Sequence, residues 1–231
     1  MSVWREDLRA VLFDLDGTLV DQESAAAGAV VEWAAEYGIT GPGVADRWAK
    51  LSDRHYQAYQ RRELTFQEQR RRRVNEFLGL SVDDDEADVI FKGYSARYEA
   101  GWTVFDDAVP ALRQIRAAGL KAAVVTNGNA DHQRYKLERL GLTDEIDVLT
   151  TPDGLPAGKP HPQIFLQAVE QLGVSVADVV MVGDSLDRDV RGALAVGIDA
   201  VLLDRYDVHP DADVPRIRSL DGFSPPLRRR Q

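Results

Sequence analysis

The sequence predicts an α/β protein in which a mostly parallel sheet carries helices on both faces and is interrupted by an inserted helical domain. Five short runs of apolar, often β-branched residues are continuous rather than alternating, which is typical of strands buried on both faces. Amphipathic stretches separate the later runs, and the segment 21–99 shows helical patterns without a strand-like run. We therefore expect a core formed by residues 1–20 and 100–231, with the insertion at 21–99.

Predicted strands and helices alternate in the second half of the chain. The strands are expected at 10–13, 122–125, 146–149, 179–182 and 200–203. Helices are expected between the last four strands, at 131–140, 162–172 and 187–196, each followed by a glycine, the residue that most often ends a helix. This alternation favours βαβ units and a Rossmann-like sheet.

The insertion is predicted to contain four helices, near 23–37, 44–61, 65–78 and 84–98. Thr65 with Glu68, and Asp83 with Glu86, have the spacing of a capping box at a helix start. Apolar residues recur at intervals of three and four after each box. Four consecutive arginines, Arg70–Arg73, point around a helix in different directions, and we interpret them as a solvated face.

Composition and charge narrow the class of protein. Hydrophobic residues make up 44% and charged residues 29% of the chain, which is ordinary for a soluble globular protein. The absence of cysteine excludes disulfides, thiolate metal sites and cysteine nucleophiles. A net charge of -10 disfavours nucleic acid and anionic membranes as partners.

The ends of the chain carry little targeting information. The first residues show no basic-then-apolar signal region, and no apolar run approaches the ~20 residues that cross a bilayer. We therefore expect a cytoplasmic protein with no membrane partner. The basic C-terminal segment 224–231 is predicted to be a frayed tail.

Polar side chains follow three of the predicted strands. In open α/β sheets, ligands bind beyond the carboxyl ends of the strands, so residues at these positions are expected to share one site. A lysine in the loop after the third strand can reach the same edge. The residues concerned are Asp14 and Asp16, Thr126 and Asn127, Asp184, and Lys159.

The mixture of charges at this edge suggests a metal ion and a phosphate. Asp14, Asp16 and Asp184 would repel one another without a hard cation, and an oxygen-only ligand set favours Mg²⁺ over zinc. Lys159 and the Thr126 hydroxyl supply the positive charge and the hydrogen-bond donor that a transferring phosphoryl group requires. The expected partner is a small phosphorylated metabolite.

Four motifs in this order resemble those of the haloacid dehalogenase (HAD) superfamily. They are Asp14-Leu-Asp16-Gly17-Thr18, Thr126-Asn127-Gly128, Gly158-Lys159-Pro160, and Gly183-Asp184-Ser185 followed by Asp189. The resemblance covers essentially the whole chain, and the insertion after the first motif is similar to the type 1 cap of that family. It implies a hydrolase fold with a catalytic core and a helical cap domain.

The resemblance also implies roles for individual residues. Asp14 would be the nucleophile that forms an aspartyl-phosphate, and Asp16 would protonate the leaving group and then activate water. Mg²⁺ would be held by Asp14, the main-chain carbonyl of Asp16, and Asp184, while Asp189 would order water beside the metal. Thr126, Asn127 and Lys159 would bind the phosphoryl oxygens.

The motifs favour a phosphatase among the activities of the family. Dehalogenase members lack the second aspartate and need no metal, so Asp16, Lys159 and Asp184 together disfavour halide chemistry. Gln133 and Lys136 after the second motif are similar to those of small-metabolite phosphatases, whose substrates include nucleotides, N-acylneuraminate 9-phosphate and phosphoglycolate. Two alternatives stay open, a phosphosugar mutase resembling β-phosphoglucomutase and a non-catalytic binding protein on the same framework. The sequence does not predict the oligomeric state.

Overall fold

The computed structural model describes residues 8–223, and the chain forms two compact units. One unit comprises the residues up to Val20 together with those from Val104 onward, and the other is Asp21–Thr103. We call them the α/β unit and the helical unit. The second unit boundary lies a few residues beyond the boundary expected from sequence at 99, and the predicted tail 224–231 lies outside the described residues.

The α/β unit is built on a six-stranded sheet in which every pairing is parallel. The strand order is β3-β2-β1-β4-β5-β6. The strands are β1 (Ala10–Phe13), β2 (Lys121–Val125), β3 (Val148–Thr150), β4 (Val179–Gly183), β5 (Asp199–Leu203) and β6 (Arg216–Ile217). The predicted fold class is therefore confirmed, with β1 at the centre between β2 and β4.

Strands β2, β4 and β5 each extend one residue beyond the prediction at one end, whereas β3 and β6 differ from it more. Strand β3 starts at Val148 rather than 146, because the Asp147 side chain accepts the Ala122 N–H and the strand pairing begins only at the next residue. Strand β6 was not predicted, since two half-buried residues, one of them an arginine, give no apolar run.

The central strands are buried on both faces, which explains their continuous apolar sequences. In β1, Val11 and Phe13 pack into the core on one face, whereas Ala10 and Leu12 pack into the core on the other. Helices cover both faces. The α-helices within residues 8–223 are α1 (Gln22–Ala35), α2 (Val44–Gln60), α3 (Phe66–Leu78), α4 (Asp84–Ala100), α5 (Ala108–Ala117), α6 (Ala130–Arg139), α7 (Pro162–Leu172) and α8 (Gly192–Leu194).

Two helices of the α/β unit differ from the sequence prediction. One was not predicted, and the other is shorter than expected. Helix α5 has Pro110 in its first turn and packs Leu112 and Ile115 against one face of the sheet. The predicted helix 187–196 is instead a wide π-helical turn, Leu186–Arg191, followed by the short α8. The turn begins at Ser185, whose side chain accepts the Arg188 N–H.

Helices α1 to α4 form the helical unit around an aromatic core. Trp33 stacks on Phe77, and Trp48 contacts both Phe77 and Tyr94 edge-on. The indole N–H of Trp33 donates to the main chain of Ile90, so this buried donor is satisfied. The four helices lie within two residues of their predicted positions at every end.

The two capping boxes predicted for this unit behave differently. At Thr65 the box is complete, because Thr65 and Glu68 each accept the main-chain N–H of the other. At Asp83 half of it forms, since the Asp83 carboxylate accepts the Glu86 N–H without a reciprocal bond. Within the described residues, no helix is both long and apolar enough to cross a membrane.

Candidate active site

Three adjacent strands of the sheet deliver the motif residues to one edge of the α/β unit. Asp14 follows β1, Thr126 follows β2, and Asp184 follows β4. Because the strands are parallel and neighbouring, their carboxyl ends lie together, as the sequence analysis expected. Lys159 reaches the same edge from the loop between β3 and α7.

The centre of the site is a buried lysine surrounded by carboxylates. Oxygens of Asp14, Asp184 and Asp189 all lie within 4.8 Å of one another. The Lys159 ammonium lies 2.6 Å from Asp14 Oδ1 and 2.7 Å from Asp189 Oδ1. Lys159 is 4% exposed and Asp189 1% exposed, so these charges are largely removed from water.

The main chain holds these acids in place. The Asp14 N–H donates to the Val182 carbonyl, and the Asp184 N–H donates to the buried Thr18 hydroxyl at 3.1 Å. Asp189 Oδ2 accepts the Ser185 N–H at 3.0 Å. Asp189 Oδ2 therefore has a main-chain hydrogen bond, whereas Oδ1 forms an ion pair with Lys159.

Gly17 is required where it stands for two reasons. Its φ of +92° lies in the left-handed region, which side-chain-bearing residues rarely adopt. A Cβ at this position would also collide with the Asp184 carboxylate. The glycine of the first motif thus allows the chain to turn and lets Asp184 approach it closely.

The pKa values of Asp14 and Asp184 are shifted by burial and because several carboxylates share the single positive charge of Lys159. Burial raises the pKa of Asp14 well above its usual range, and Asp189 and Asp184 add repulsion, although Lys159 opposes both. Burial, followed by repulsion from Asp189, also raises the pKa of Asp184. For Lys159, burial is outweighed by Asp14 and Asp189, so the net effect raises its pKa and keeps it charged. Three carboxylates around one ammonium leave an excess of negative charge, which suits a cation.

Thr126 accepts two hydrogen bonds, which leaves its hydroxyl proton available for a further acceptor. Its hydroxyl oxygen accepts the Gly128 N–H at 3.2 Å and a side-chain N–H of Gln133 at 2.9 Å. A hydroxyl has two lone pairs and one proton, so both acceptor sites are occupied. The proton can then be donated to a further acceptor, as the predicted role in binding a phosphoryl oxygen requires.

The Asp16 carboxylate has different partners from those of Asp14. It contacts the Lys136 ammonium through Oδ1 and accepts a side-chain N–H of Gln133 through Oδ2 at 2.8 Å. Burial opposes its ionisation, but Lys136 and Gln133 outweigh burial and lower the pKa of Asp16. The two aspartates of the first motif are thus in separate electrostatic environments.

Gln133 and Lys136 join the site from helix α6. They are three positions apart and therefore lie on one face of that helix. Gln133 bridges Asp16 and Thr126, and Lys136 is 1% exposed. From the sequence, both residues were notable only for their likeness to those of a phosphatase branch, and neither had a predicted role. Their spacing after the second motif was the available signal.

Asn127 is placed next to Lys159 rather than beside the acids. Its side-chain amide donates to the Lys159 carbonyl at 2.8 Å and accepts the Lys159 N–H at 2.6 Å. A Cβ at position 158 would collide with this amide, so Gly158 makes the close approach possible. The side chain of Asn127 therefore fixes the main chain that carries Lys159, and phosphate binding by Asn127 remains a prediction.

The parallel α/β sheet thus brings the aspartates, the threonine and the buried lysine of the motifs to one edge. A family model for haloacid dehalogenase-like hydrolases matches residues 8–197. The chain belongs to the haloacid dehalogenase-like hydrolase family, and it is an enzyme of that family. The family resemblance stated from the motifs is confirmed.

Curated relatives and solved structures agree with this assignment. The chain is 39% identical to a glyceraldehyde 3-phosphate phosphatase of Methanopyrus kandleri, but this match covers 48% of the chain and 50% of the relative. It is 32% identical to a ribulose-1,5-bisphosphate 5-phosphatase of Halopiger xanaduensis over 84% of each chain. A crystal structure of a HAD phosphatase from Thermococcus onnurineus is 31% identical, with a TM-score of 0.65, and covers 94% of this chain and 96% of that one.

Proposed function

We propose that this protein is a Mg²⁺-dependent phosphomonoesterase that hydrolyses a small phosphorylated metabolite through an aspartyl-phosphate. The observation that carries the proposal is the Lys159 ammonium, which is buried between Asp14 and Asp189 beside Asp184. This charge distribution suits a phosphate dianion and a divalent cation together. The named relatives, which are phosphatases of small phosphorylated metabolites, support the substrate class.

The residues present fit a magnesium ion. Asp14 and Asp184 offer carboxylate oxygens, and the main-chain carbonyl of Asp16 is the third protein ligand that the family resemblance implies. Asp189 already uses its oxygens for Lys159 and the Ser185 N–H, which suits a role in ordering water beside the metal. A bound Mg²⁺ would neutralise phosphoryl charge as it develops and lower repulsion between the phosphate and Asp14.

In the first half of the proposed reaction, an Asp14 oxygen attacks phosphorus and the bond to the leaving-group oxygen breaks. Asp16 gives that oxygen its proton, so the leaving group departs as an alcohol. The Lys159 ammonium and the free Thr126 proton stabilise the phosphoryl oxygens. Asn127 acts through the main chain of Lys159 and so keeps the ammonium in place.

In the second half, water attacks the phosphorus of the aspartyl-phosphate. Asp16 accepts a proton from that water, the bond between phosphorus and the Asp14 oxygen breaks, and inorganic phosphate and the free carboxylate are released. Having given up its proton in the first half, Asp16 is ionised at this stage, and its contacts with Lys136 and Gln133 stabilise and orient the carboxylate that accepts the proton. Because Asp16 is not shared with Asp14 and Asp184, it can change protonation while they stay in position.

The helical unit is proposed to be the cap domain that selects the leaving group, and the α/β unit the catalytic core. A phosphosugar mutase would use the same aspartates and return the phosphoryl group to a sugar, so product analysis with and without a bisphosphate activator separates the two activities. The phosphatase relatives favour hydrolysis. A cytoplasmic location forms part of the proposal and is tested by cell fractionation.

A phosphate-release screen over a panel of phosphorylated metabolites tests the activity. We expect release with Mg²⁺, loss of release with EDTA, and recovery when Mg²⁺ is restored. Full activity in chelator, or no release from any ester, would contradict the proposal.

The nucleophile has its own test. We expect Asp14→Asn to lower turnover by several orders of magnitude, because the amide keeps the shape of the side chain but is not a nucleophile. Mass spectrometry of the wild type after rapid quenching should place a phosphoryl adduct on Asp14. An adduct on a different residue would refute the assignment.

A further inference from the structure

Arg73 of helix α3 is a buried arginine among aromatic rings, contrary to the solvated face interpreted from the sequence. It is 9% exposed. The centre of its guanidinium lies 4.4 Å from the Trp48 ring centroid, 5.4 Å from that of Phe91 and 5.7 Å from that of Tyr94. The helix periodicity could not show this, because four arginines in a row give no apolar stripe.

The hydrogen-bonding partners of Arg73 are neutral. One terminal nitrogen donates to the amide oxygen of Gln69 at 3.3 Å, and the Tyr94 hydroxyl is a further partner. The buried Nε–H has no partner. Within residues 8–223, no carboxylate forms an ion pair with this guanidinium. Burial lowers the pKa of Arg73, which reflects the cost of a poorly compensated charge.

Arg70, one turn earlier, also lies against aromatic rings, but it is only partly buried and the charges of Glu99 and Asp88 act on it. Its guanidinium lies 4.1 Å from the Phe66 centroid and 5.1 Å from the Phe91 centroid, and it too forms no ion pair with a described carboxylate. Arg70 and Arg73 thus place two positive charges against one ring, that of Phe91. Burial and repulsion from Arg73 lower the pKa of Arg70, although the charges of Glu99 and Asp88 partly oppose this.

Arg71, the next residue in the helix, forms an ordinary structural ion pair within the same unit. Arg71 donates to both oxygens of Asp88, at 2.8 and 2.6 Å, and also contacts Asp84. The chain has ten more acidic than basic residues, so acids for pairing are plentiful. Arg73 is left without one although buried charges are costly unless paired, and an apolar side chain would pack there at lower cost.

We propose that Arg73 and Arg70 form a binding site for the oxyanion of a small molecule, a carboxylate or a phosphate. The unpartnered Nε and the planar guanidinium match the paired oxygens of such a group, and the aromatic rings keep the charge poorly hydrated, which strengthens the contact. The oxyanion belongs either to the substrate of the proposed phosphatase reaction or to a separate ligand. The site itself is inferred from the helical unit alone.

The site is tested by thermal unfolding of the full chain carrying Asp14→Asn, so that catalysis plays no part. Malonate in metal-free buffer is the probe. We expect a concentration-dependent rise in melting temperature, with a change in tryptophan emission because Trp48 lies under Arg73. Arg73→Met should lose both responses, whereas Arg72→Gln, an exposed neighbour on the same helix, should keep them.

Two outcomes would overturn the site, namely no response of the parent protein to malonate or inorganic phosphate, and an undiminished response in Arg73→Met. If Arg73→Met does not fold, Arg70→Met serves instead, and its malonate affinity should fall at least tenfold. An Arg70→Met protein with parental affinity also counts against the site.

Kinetics with the active enzyme then identify the source of the oxyanion. A substrate role predicts that Arg73→Met lowers the ratio of kcat/KM for phosphoglycolate to that for p-nitrophenyl phosphate at least tenfold. An unchanged ratio, combined with a positive malonate response, assigns the site to a separate ligand. Absence of all phosphatase activity would refute the proposed function and leave the malonate result intact.

Discussion

Lys136 and Gln133 give Asp16 an environment of its own within the site. Lys136 is fully buried against Asp16, and Gln133 links Asp16 to Thr126. In the proposed reaction, Asp16 moves a proton twice in each cycle and would face the leaving oxygen first and water second. A fixed carboxylate meets this need better than a mobile one, because misplacement by about 1 Å can cost on the order of 10²-fold in rate.

Replacing Lys136 tests this positioning. We expect Lys136→Met to lower kcat/KM for an alkyl phosphate by roughly 10², and to lower it less for p-nitrophenyl phosphate, whose leaving group needs little protonation. The measurement is steady-state kinetics on both esters. Lys92→Met, which removes an exposed lysine, is the matched control and should stay within twofold of wild type.

A double variant distinguishes positioning from general damage. If Lys136 acts through Asp16, adding Lys136→Met to Asp16→Asn should cost little beyond Asp16→Asn alone. Fully additive losses would show that Lys136 acts independently of Asp16.

At the residue scale, the sequence predicted which residues lie at the site better than it predicted the contacts between their side chains. Asp14, Thr126 and Asp184 could be found because strand ends are readable and parallel strands bring them together. The bond between Asn127 and the Lys159 main chain could not be predicted, because it depends on a loop conformation and on the lack of a side chain at Gly158. Arg73 was misinterpreted because burial of one arginine among four leaves no trace in the pattern.

At the scale of elements, Asp107 ties three parts of the α/β unit together. It immediately precedes α5, yet its carboxylate does not cap that helix. Instead it accepts two bonds from Arg205, which follows β5, and further bonds from the Ser219 hydroxyl and the Leu220 N–H. Arg205 also donates to the Thr18 carbonyl, so this network supports the turn that follows Asp14 and Asp16.

Removing this carboxylate should destabilise the α/β unit. We expect Asp107→Ala to lower the free energy of unfolding by about 3 kcal/mol at pH 7, because it leaves a largely buried arginine unpaired. Denaturant unfolding measures the loss. Asp106→Ala, at the exposed neighbouring position, should change stability by less than about 0.5 kcal/mol.

The same network gives an expected pH dependence. Burial opposes ionisation of Asp107, but the bonds from Arg205, Leu220 and Ser219 outweigh it and lower its pKa. A carboxylate whose pKa is lowered by folding stabilises the protein above its unfolded value of about 3.9, and that stabilisation is lost as the pH falls further. The difference in free energy of unfolding between wild type and Asp107→Ala should therefore stay constant from pH 7 to about pH 5 and disappear below pH 4. A difference that disappears near pH 6 would contradict this account.

The elements themselves were largely predictable, and the exceptions have local causes. Continuous apolar runs gave β1, β2, β4 and β5 closely, since each is buried on both faces. The sequence predicts an ordinary α-helix where the π-helical turn Leu186–Arg191 lies, because hydrophobic spacing does not distinguish a wide turn from an α-helix. The hydrogen bonds of Asp107 could not be predicted from the sequence, because their partners lie about a hundred residues further along the chain.

At the scale of the whole molecule, folding without a metal works against electrostatics. The chain has a net charge of -10, and three of its acids converge around one lysine. Burial raises the pKa of both Asp14 and Asp184, so these carboxylates are less stable as anions in the folded protein than in the unfolded chain. A group of this kind favours folding at low pH and opposes it as the pH rises through its folded pKa.

Magnesium should therefore stabilise the fold, and more so as the pH rises. A ligand at a hundred times its dissociation constant contributes about 2.7 kcal/mol, which for a chain of this size raises the melting temperature by roughly 5 to 10 °C. We expect that rise in melting temperature at pH 8 and a smaller one at pH 5, where protons compete with Mg²⁺ for Asp14 and Asp184.

Asp184→Asn should melt at a higher temperature than wild type in EDTA, because one repelling charge is gone, and its melting temperature should respond weakly to Mg²⁺. Asp187→Asn, an exposed acid in the following turn, is the control and should respond as wild type does. Equal Mg²⁺ responses in wild type and Asp184→Asn would place the stabilising cation elsewhere, because the acids around Lys159 can hold it tightly only when Asp184 contributes its charge.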